Sequence, residues 1–161
     1  MALSLQEISD RIEIEDLLQR YTAAIDAKDW DLLATVFTPD ATLDYTSSGG
    51  PVGPFPEVRD WLARALALFP MTHHMIGKST VELDGDTAQC RSIFYNPMAM
   101  SIDENGQFVP DGSGSGRHVF VVGGFYNDTC VRTSDGWRIS LKVEDQSYLT
   151  GGFPKGFTVP E

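Results

Sequence analysis

Positive charge is scarce in this chain: 12 lysines and arginines face 23 aspartates and glutamates, a formal net charge of -11 over 161 residues. Nucleic acids and anionic membranes would be repelled at long range, so neither is an expected partner. Cysteine is nearly absent. The two thiols, Cys90 and Cys130, each lie inside an alternating apolar segment without CxxC or metal-ligand spacing, which predicts buried free thiols and no metal site. No apolar run approaches the roughly 20 residues needed to cross a bilayer. The opening MALSLQEISDRIEIEDL carries carboxylates where a secretory leader needs a basic start and an apolar core, so a cytoplasmic location is expected. Internal repeats and low-complexity segments are missing too.

What the chain does have is core-forming residues. An apolar content of 42% at this length predicts one domain spanning 1-161. In SLQEISDRIEIEDLLQRYTAAIDA, the residues Ile8, Ile12, Leu17, Tyr21, Ala24 and Ile25 recur at steps of three to five, the pattern of an amphipathic helix. After a turn at Ala27 and Lys28, Asp29 is placed to N-cap a short helix, DWDLLATVF, which a turn at Thr38, Pro39 and Asp40 ends. ATLDYT alternates as a first strand, SSGGPVGPFP reads as a loop, and Pro56 suits the first turn of a third helix, PEVRDWLARALALF, that Pro70 stops.

From Met71 onward alternation dominates. MTHHMIGKSTVEL, TAQCRSIFYNPMAMSI, RHVFVVGGFYNDTCVRT and WRISLKVEDQSYL read as four long strands, with hairpin turns around Gly85 and Gly136 and a polar, mobile connector DENGQFVPDGSGSG. Helices collected before a long antiparallel sheet give an α+β fold. Strands of this length curl around the helices as a cone-like curved sheet that encloses a pocket.

Asp26 sits where the first helix runs out, facing the negative end of its dipole. A carboxylate there needs a partner or a task. Only three histidines exist, and His73 and His74 are adjacent in MTHHMIG; the period-two rule turns one of them inward and the other outward. An inward His74 meeting Asp26, with Tyr21 a turn earlier, would make a cofactor-free acid/base site. Each residue also has an ordinary alternative: Asp26 can cap the next helix or bridge Lys28, His74 can be structural, and Tyr21 and Tyr45 can be core aromatics. Trp30, Trp61 and Trp137 read as packing.

These segments, from RYTAAIDAKDWDLLATVFTPDATLDY to SDGWRI, resemble the SnoaL-like branch of the nuclear transport factor two superfamily, a cone-shaped α+β fold. The resemblance covers nearly the whole chain. Its functional counterparts there are scytalone dehydratase, bile-acid 7α-dehydratase and hexachlorocyclohexane dehydrochlorinase, in which a helix aspartate pairs with a strand histidine that acts as the base. By local sequence, AIDAKDW and THHMIG, those positions are Asp26 and His74. Tyr21 matches the dehydratases' helix tyrosine, and Tyr45, in LDY, a second tyrosine that holds a water against the substrate carbonyl. Arg132, in CVRTSDGW, resembles the dehydrochlorinase arginine near the leaving chloride, with a surface role or pairing to Asp128 as the alternative. Asn96, Met98 and Tyr126 are the implied substrate-binding wall. Scytalone dehydratase has a histidine where Met98 falls, so scytalone itself is not the expected substrate.

The resemblance implies a cofactor-independent lyase, of dehydratase type, acting on a cyclic hydroxy-ketone or a polyketide-, terpenoid- or steroid-like molecule. A neutral imidazole takes a weakly acidic proton, Asp26 fixes its tautomer, and tyrosine donors support the substrate oxygen. The competing expectation is a small-molecule-binding accessory protein without chemistry. A polyketide cyclase is a third, and a ketosteroid isomerase is disfavoured because its base aspartate falls at Tyr45. Relatives of this kind are commonly trimers, so a homo-oligomer is expected, trimer before dimer. The tail SYLTGGFPKGFTVPE could close over the pocket as a lid or serve only in subunit packing.

Overall fold

The structure, a computed structural model, describes residues 2–158. Helix α1 (Leu5–Ala27) opens on a capping box in which Ser4 Oγ accepts from the Glu7 amide at 3.1 Å and Glu7 Oε2 from the Ser4 amide at 2.7 Å. Two of the donors that a helix start leaves open are thereby satisfied. The buried stripe runs through Asp10, Ile14, Leu17, Leu18, Tyr21, Ala24 and Ile25. Ile8 and Ile12, expected on it, are 42% and 56% exposed; steps of three and four counted back from Ile14 reach Asp10 instead. Lys28 ends the helix in the left-handed region, and Asp29 Oδ1 caps α2 (Trp30–Ala34) by accepting from the Leu32 amide at 2.9 Å.

The expected turn at Thr38, Pro39 and Asp40 is part of strand β1 (Phe37–Asp44). β1 runs parallel to β8 (Gly136–Thr150), its register breaking between Phe37 and Thr42. Pro39, which has no N–H to give a ladder, is tolerated in that break. The segment expected as a loop holds a 3-10 turn (Thr46–Ser48) and β2 (Val52–Pro54), antiparallel to β1. Helix α3 (Phe55–Leu66) then carries Pro56 in its first turn as expected.

The spatial strand order is β2-β1-β8-β7-β6, with β3 (Met71–Thr72), β4 (Met75–Ile76) and β5 (Thr80–Asp84) successively paired along the far edge of β6. β6 (Thr87–Ile102), β7 (Gly116–Thr133) and β8 have 16, 18 and 15 residues, about 50 to 60 Å at ~3.4 Å each. Twist accumulates over that length and coils the sheet around the helices, the curved and unclosed α+β fold read from the sequence. MTHHMIGKSTVEL is not one strand: it breaks at His73–His74 and again at Gly77–Ser79.

β8 turns over twice. Its register against β7 skips Ser140 and again Ser147. Each skipped residue reverses which parity faces inward: Trp137 and Ile139 are buried before the first, Lys142 and Glu144 after it, and Leu149 faces the interior after the second. Opposite the second bulge, Gly123 and Gly124 allow close approach, since a side chain at Gly124 would overlap the Asp145 carbonyl and one at Gly123 the Tyr148 ring. The connector expected to be mobile is tied down: Asp103 Oδ1 accepts from the Asn105 and Gln107 amides at 2.8 Å each, and the Phe108 amide donates to Lys155 O at 2.9 Å. Among the described residues no helix is long and apolar enough to cross a membrane.

Candidate active site

The break at His73–His74 exists because side chains take the place of a strand partner. The His74 amide donates to Asp26 Oδ2 at 2.8 Å, and the His73 amide to Asn96 Oδ1 at 3.0 Å. The His74 ring then lies with Nδ1 at 2.7 Å from Asp26 Oδ1 and Nε2 at 3.1 Å from Asn96 Nδ2. This network fixes the tautomer by elimination. A backbone N–H can only donate, so it holds the Asn96 oxygen; the Asn96 nitrogen, a donor, is therefore what faces Nε2, which must accept. Nδ1–H donates to Asp26. Burial pushes the Asp26 carboxyl up, but the ring and amide hydrogen bonds of His74 outweigh it and hold the group below the usual carboxylate range. The His74 side chain is only 6% exposed, while His73 faces solvent.

His74 borders a cavity of about 130 Å³ whose walls also include Tyr21, Tyr45, Asn96, Met98 and Tyr126. All the residues expected at the site are thus brought together except one. Tyr21 Oη and Tyr45 Oη are 2.7 Å apart. Burial pushes both phenols, and that of Tyr126, well above the ordinary value, so all three remain neutral O–H groups. Aromatic and aliphatic side chains supply most of the remaining wall, among them Trp61, which the sequence suggested was only packing.

Arg132 is the exception. Its guanidinium donates to Asp10 Oδ2 at 2.7 Å and Asp86 Oδ1 at 2.9 Å and stacks 4.6 Å over the Trp137 ring. That places it at the β5–β6 turn and the start of α1, away from the cavity, so it is not a leaving-group donor. The partner considered for it, Asp128, is taken by Lys142 at 2.9 and 3.1 Å, both side chains fully buried. The Lys142 ammonium also lies 4.0 Å from the ring centres of Tyr21 and Tyr126. Cys90 and Cys130 are buried free thiols 3.9 Å apart, as expected.

One feature of the site escaped the sequence reading. Glu144, buried on β8 and bordering the cavity, has Oε1 without a hydrogen-bond partner among the described residues. Burial pushes its carboxyl up to about 6 despite Ser48 and Lys142, which pull it down. The signal was present in SLKVEDQ, where polar residues occupy one parity of a strand, but only the Ser140 bulge says that this parity is the inner one. The tail, expected either as a lid or in subunit packing, borders the cavity through Phe153 and Phe157, Phe153 packing on Phe120 at 5.2 Å and Phe157 on Phe69 at 6.1 Å between ring centres. The last three residues of the expected lid lie outside the described residues.

A family model for the SnoaL-like domain matches residues 6–142. An uncharacterized protein of Mycobacterium tuberculosis strain H37Rv is 43% identical over 146 residues, 91% of either chain. Two solved structures share the fold: a candidate scytalone dehydratase from Novosphingobium aromaticivorans (17% identity, 96% of both chains, TM-score 0.72) and the hexachlorocyclohexane dehydrochlorinase LinA-type3 from Novosphingobium barchaimii (19% identity, 98% of this chain and 99% of that one, TM-score 0.67). At such identities the likeness is one of fold.

Proposed function

Because this chain belongs to the SnoaL-like family and joins a histidine to an aspartate at its cavity wall, we propose that it is a cofactor-independent lyase of dehydratase type. The substrate class is a cyclic hydroxy-ketone or comparable polyketide-, terpenoid- or steroid-like molecule. The contact between Asp26 and His74 carries the reading. A neutral imidazole with Nδ1–H locked to a carboxylate has its lone pair on Nε2, and the imidazolium that forms on proton abstraction is stabilised by the same carboxylate. Substrate displaces the long Asn96 contact at 3.1 Å to present its C–H to Nε2. Within the Tyr21–Tyr45 pair, 2.7 Å apart, one hydroxyl donates to the other, and the second donates to the carbonyl oxygen as enolate charge develops. The β-hydroxyl then leaves as water with the proton that the His74 imidazolium gives back, which restores the neutral ring. In the same reading the protein works in the cytoplasm as a homo-oligomer, a trimer before a dimer. The outer sheet face supports self-association, since it exposes Ile93, Tyr95, Val119 and Tyr148 at 42 to 56%.

The test is turnover of cyclic β-hydroxy-ketones, followed by the absorbance of the enone product. His74→Ala keeps the fold and loses about 10²- to 10⁴-fold in rate; undiminished turnover would remove His74 as the base. One observation favours a second reading, a non-catalytic ligand-binding protein: the Nε2 lone pair is already engaged by Asn96. Ligands that raise Tm without any turnover by the wild type would decide for it.

A further inference from the structure

The buried charge of Glu144 is eased only in part by Ser48 and Lys142. Among the described residues its Oε1 is a buried acceptor with no donor, on a side chain about nine-tenths buried at the wall of the cavity. Leaving such a group unpaired costs stability, and native folds rarely keep one without use. The neighbouring cation does not satisfy it, because Lys142 is committed to both oxygens of Asp128 and to the faces of Tyr21 and Tyr126. Asp128 balances Lys142, so the Glu144 carboxylate is the uncompensated charge at this end of the cavity.

We propose that Glu144 is the specificity residue of the cavity, accepting a hydrogen bond from a hydroxyl of the bound molecule. The ligand is therefore an apolar ring compound bearing at least one hydroxyl. The register sets Glu144 opposite Tyr126 and Tyr126 opposite Ser92, four positions along β6 from Asn96, so two strand spacings and four residues of rise put the backbones of Glu144 and Asn96 roughly 17 Å apart. A hydroxyl fits better than an ammonium, since a cation gives up far more hydration than a hydroxyl on entering an apolar cavity. This deepens the dehydratase reading and rests on it for the substrate's role. The binding claim itself requires no turnover.

Three probes on one ring skeleton test it: tetralin, 2-tetralol and 2-aminotetralin, titrated calorimetrically into the full chain. At pH 8 the wild type should prefer 2-tetralol to tetralin by ~10- to 100-fold, the usual span for a hydrogen bond to a charged acceptor. The preference should shrink toward pH 5 as Glu144, with its carboxyl at about 6, takes up a proton. The other ionisable groups facing it are Lys142 on its own strand, Asp128 and Tyr126 on β7, Tyr45 after β1 and Tyr21 on α1. Glu144→Leu should erase both the preference and its pH dependence. Glu144→Gln, an isostere that preserves packing, should keep a smaller preference without the pH dependence. His74→Ala should leave the preference intact, which separates this claim from the elimination chemistry. A preference that survives in Glu144→Leu, wild-type affinity that is equal for tetralin and 2-tetralol or absent for 2-tetralol, or stronger binding of 2-aminotetralin would each overturn the assignment.

Discussion

Asp26→Asn tests the tautomer logic of the site. Asp26 accepts both the ring Nδ1–H and the backbone N–H of His74, at 2.7 and 2.8 Å. An asparagine can accept only one of them. The backbone N–H cannot reverse, so the amide oxygen stays with it and the new –NH2 turns toward Nδ1. The ring proton must then move to Nε2, against the Asn96 donor at 3.1 Å. One charge-assisted hydrogen bond of about 1.5–3 kcal/mol becomes a neutral one, and a mismatched donor pair adds about 1–3 kcal/mol. Because the Asp26 side chain is 25% exposed, water relieves part of this, leaving a net loss of about 2–4 kcal/mol. Adding Asn96→Asp supplies acceptors for the His73 amide and for Nε2–H together, so the double variant should return to within about 1 kcal/mol of wild type. Turnover should not return, because the lone pair now sits on Nδ1 against residue 26. Urea unfolding by tryptophan fluorescence gives the stabilities, and nitrogen-15 NMR of the imidazole reports the tautomer. Simple additivity of the two substitutions, or an Nδ1-protonated ring in Asp26→Asn, would refute the reasoning.

Lys142→Met should cost about 3–5 kcal/mol in urea unfolding by stranding Asp128 in the interior, and Asp128→Asn should cost less, because the ammonium keeps its two tyrosine faces; the reverse order would contradict the cation–π assignment. Glu144→Leu should be more stable than wild type at pH 8. The folded carboxyl at about 6 lies above the ordinary 4.5, so the wild type loses stability as pH rises between those values, by about 2 kcal/mol at 1.36 kcal/mol per pH unit, and the Tm gap to the variant should close below pH 4.5. Arg132→Ala should leave turnover unchanged and flatten the acid limb of stability. Arg132 is the main cause of the low Asp10 carboxyl, about 2 against an ordinary 3.8, whose contribution is present above 3.8 and disappears as pH falls through 2. A large drop in turnover for this variant would return Arg132 to the site.

The parts of this fold that local rules decide were readable in the chain. Asp29 as an N-cap, Pro56 in a first turn and the glycine hairpins follow from backbone chemistry within four residues. The long alternating runs around Asn96 and Tyr126 follow from period two. The site pair Asp26 and His74 was suggested by a carboxylate at a helix end and by the scarcity of histidine, and resemblance assigned its roles; 48 positions separate the two, and no spacing rule connects a helix end to a strand edge. Where the reading failed, tertiary structure overrode a local pattern. Thr38 and Pro39 look like a turn but lie in a strand whose ladder is broken there. Ile12 looks like core, yet Asp10 takes the buried stripe because Arg132 and Trp137 arrive from the far end of the chain. Glu144 was missed because a single bulged serine decides which side of β8 is the interior.

The closing aromatics have a practical corollary. Phe153 and Phe157 are part of the chamber, joined to the strands through Gly151 and Gly152. A protease that nicks the glycine pair would release both rings from the strands, and the cavity would lose that part of its wall.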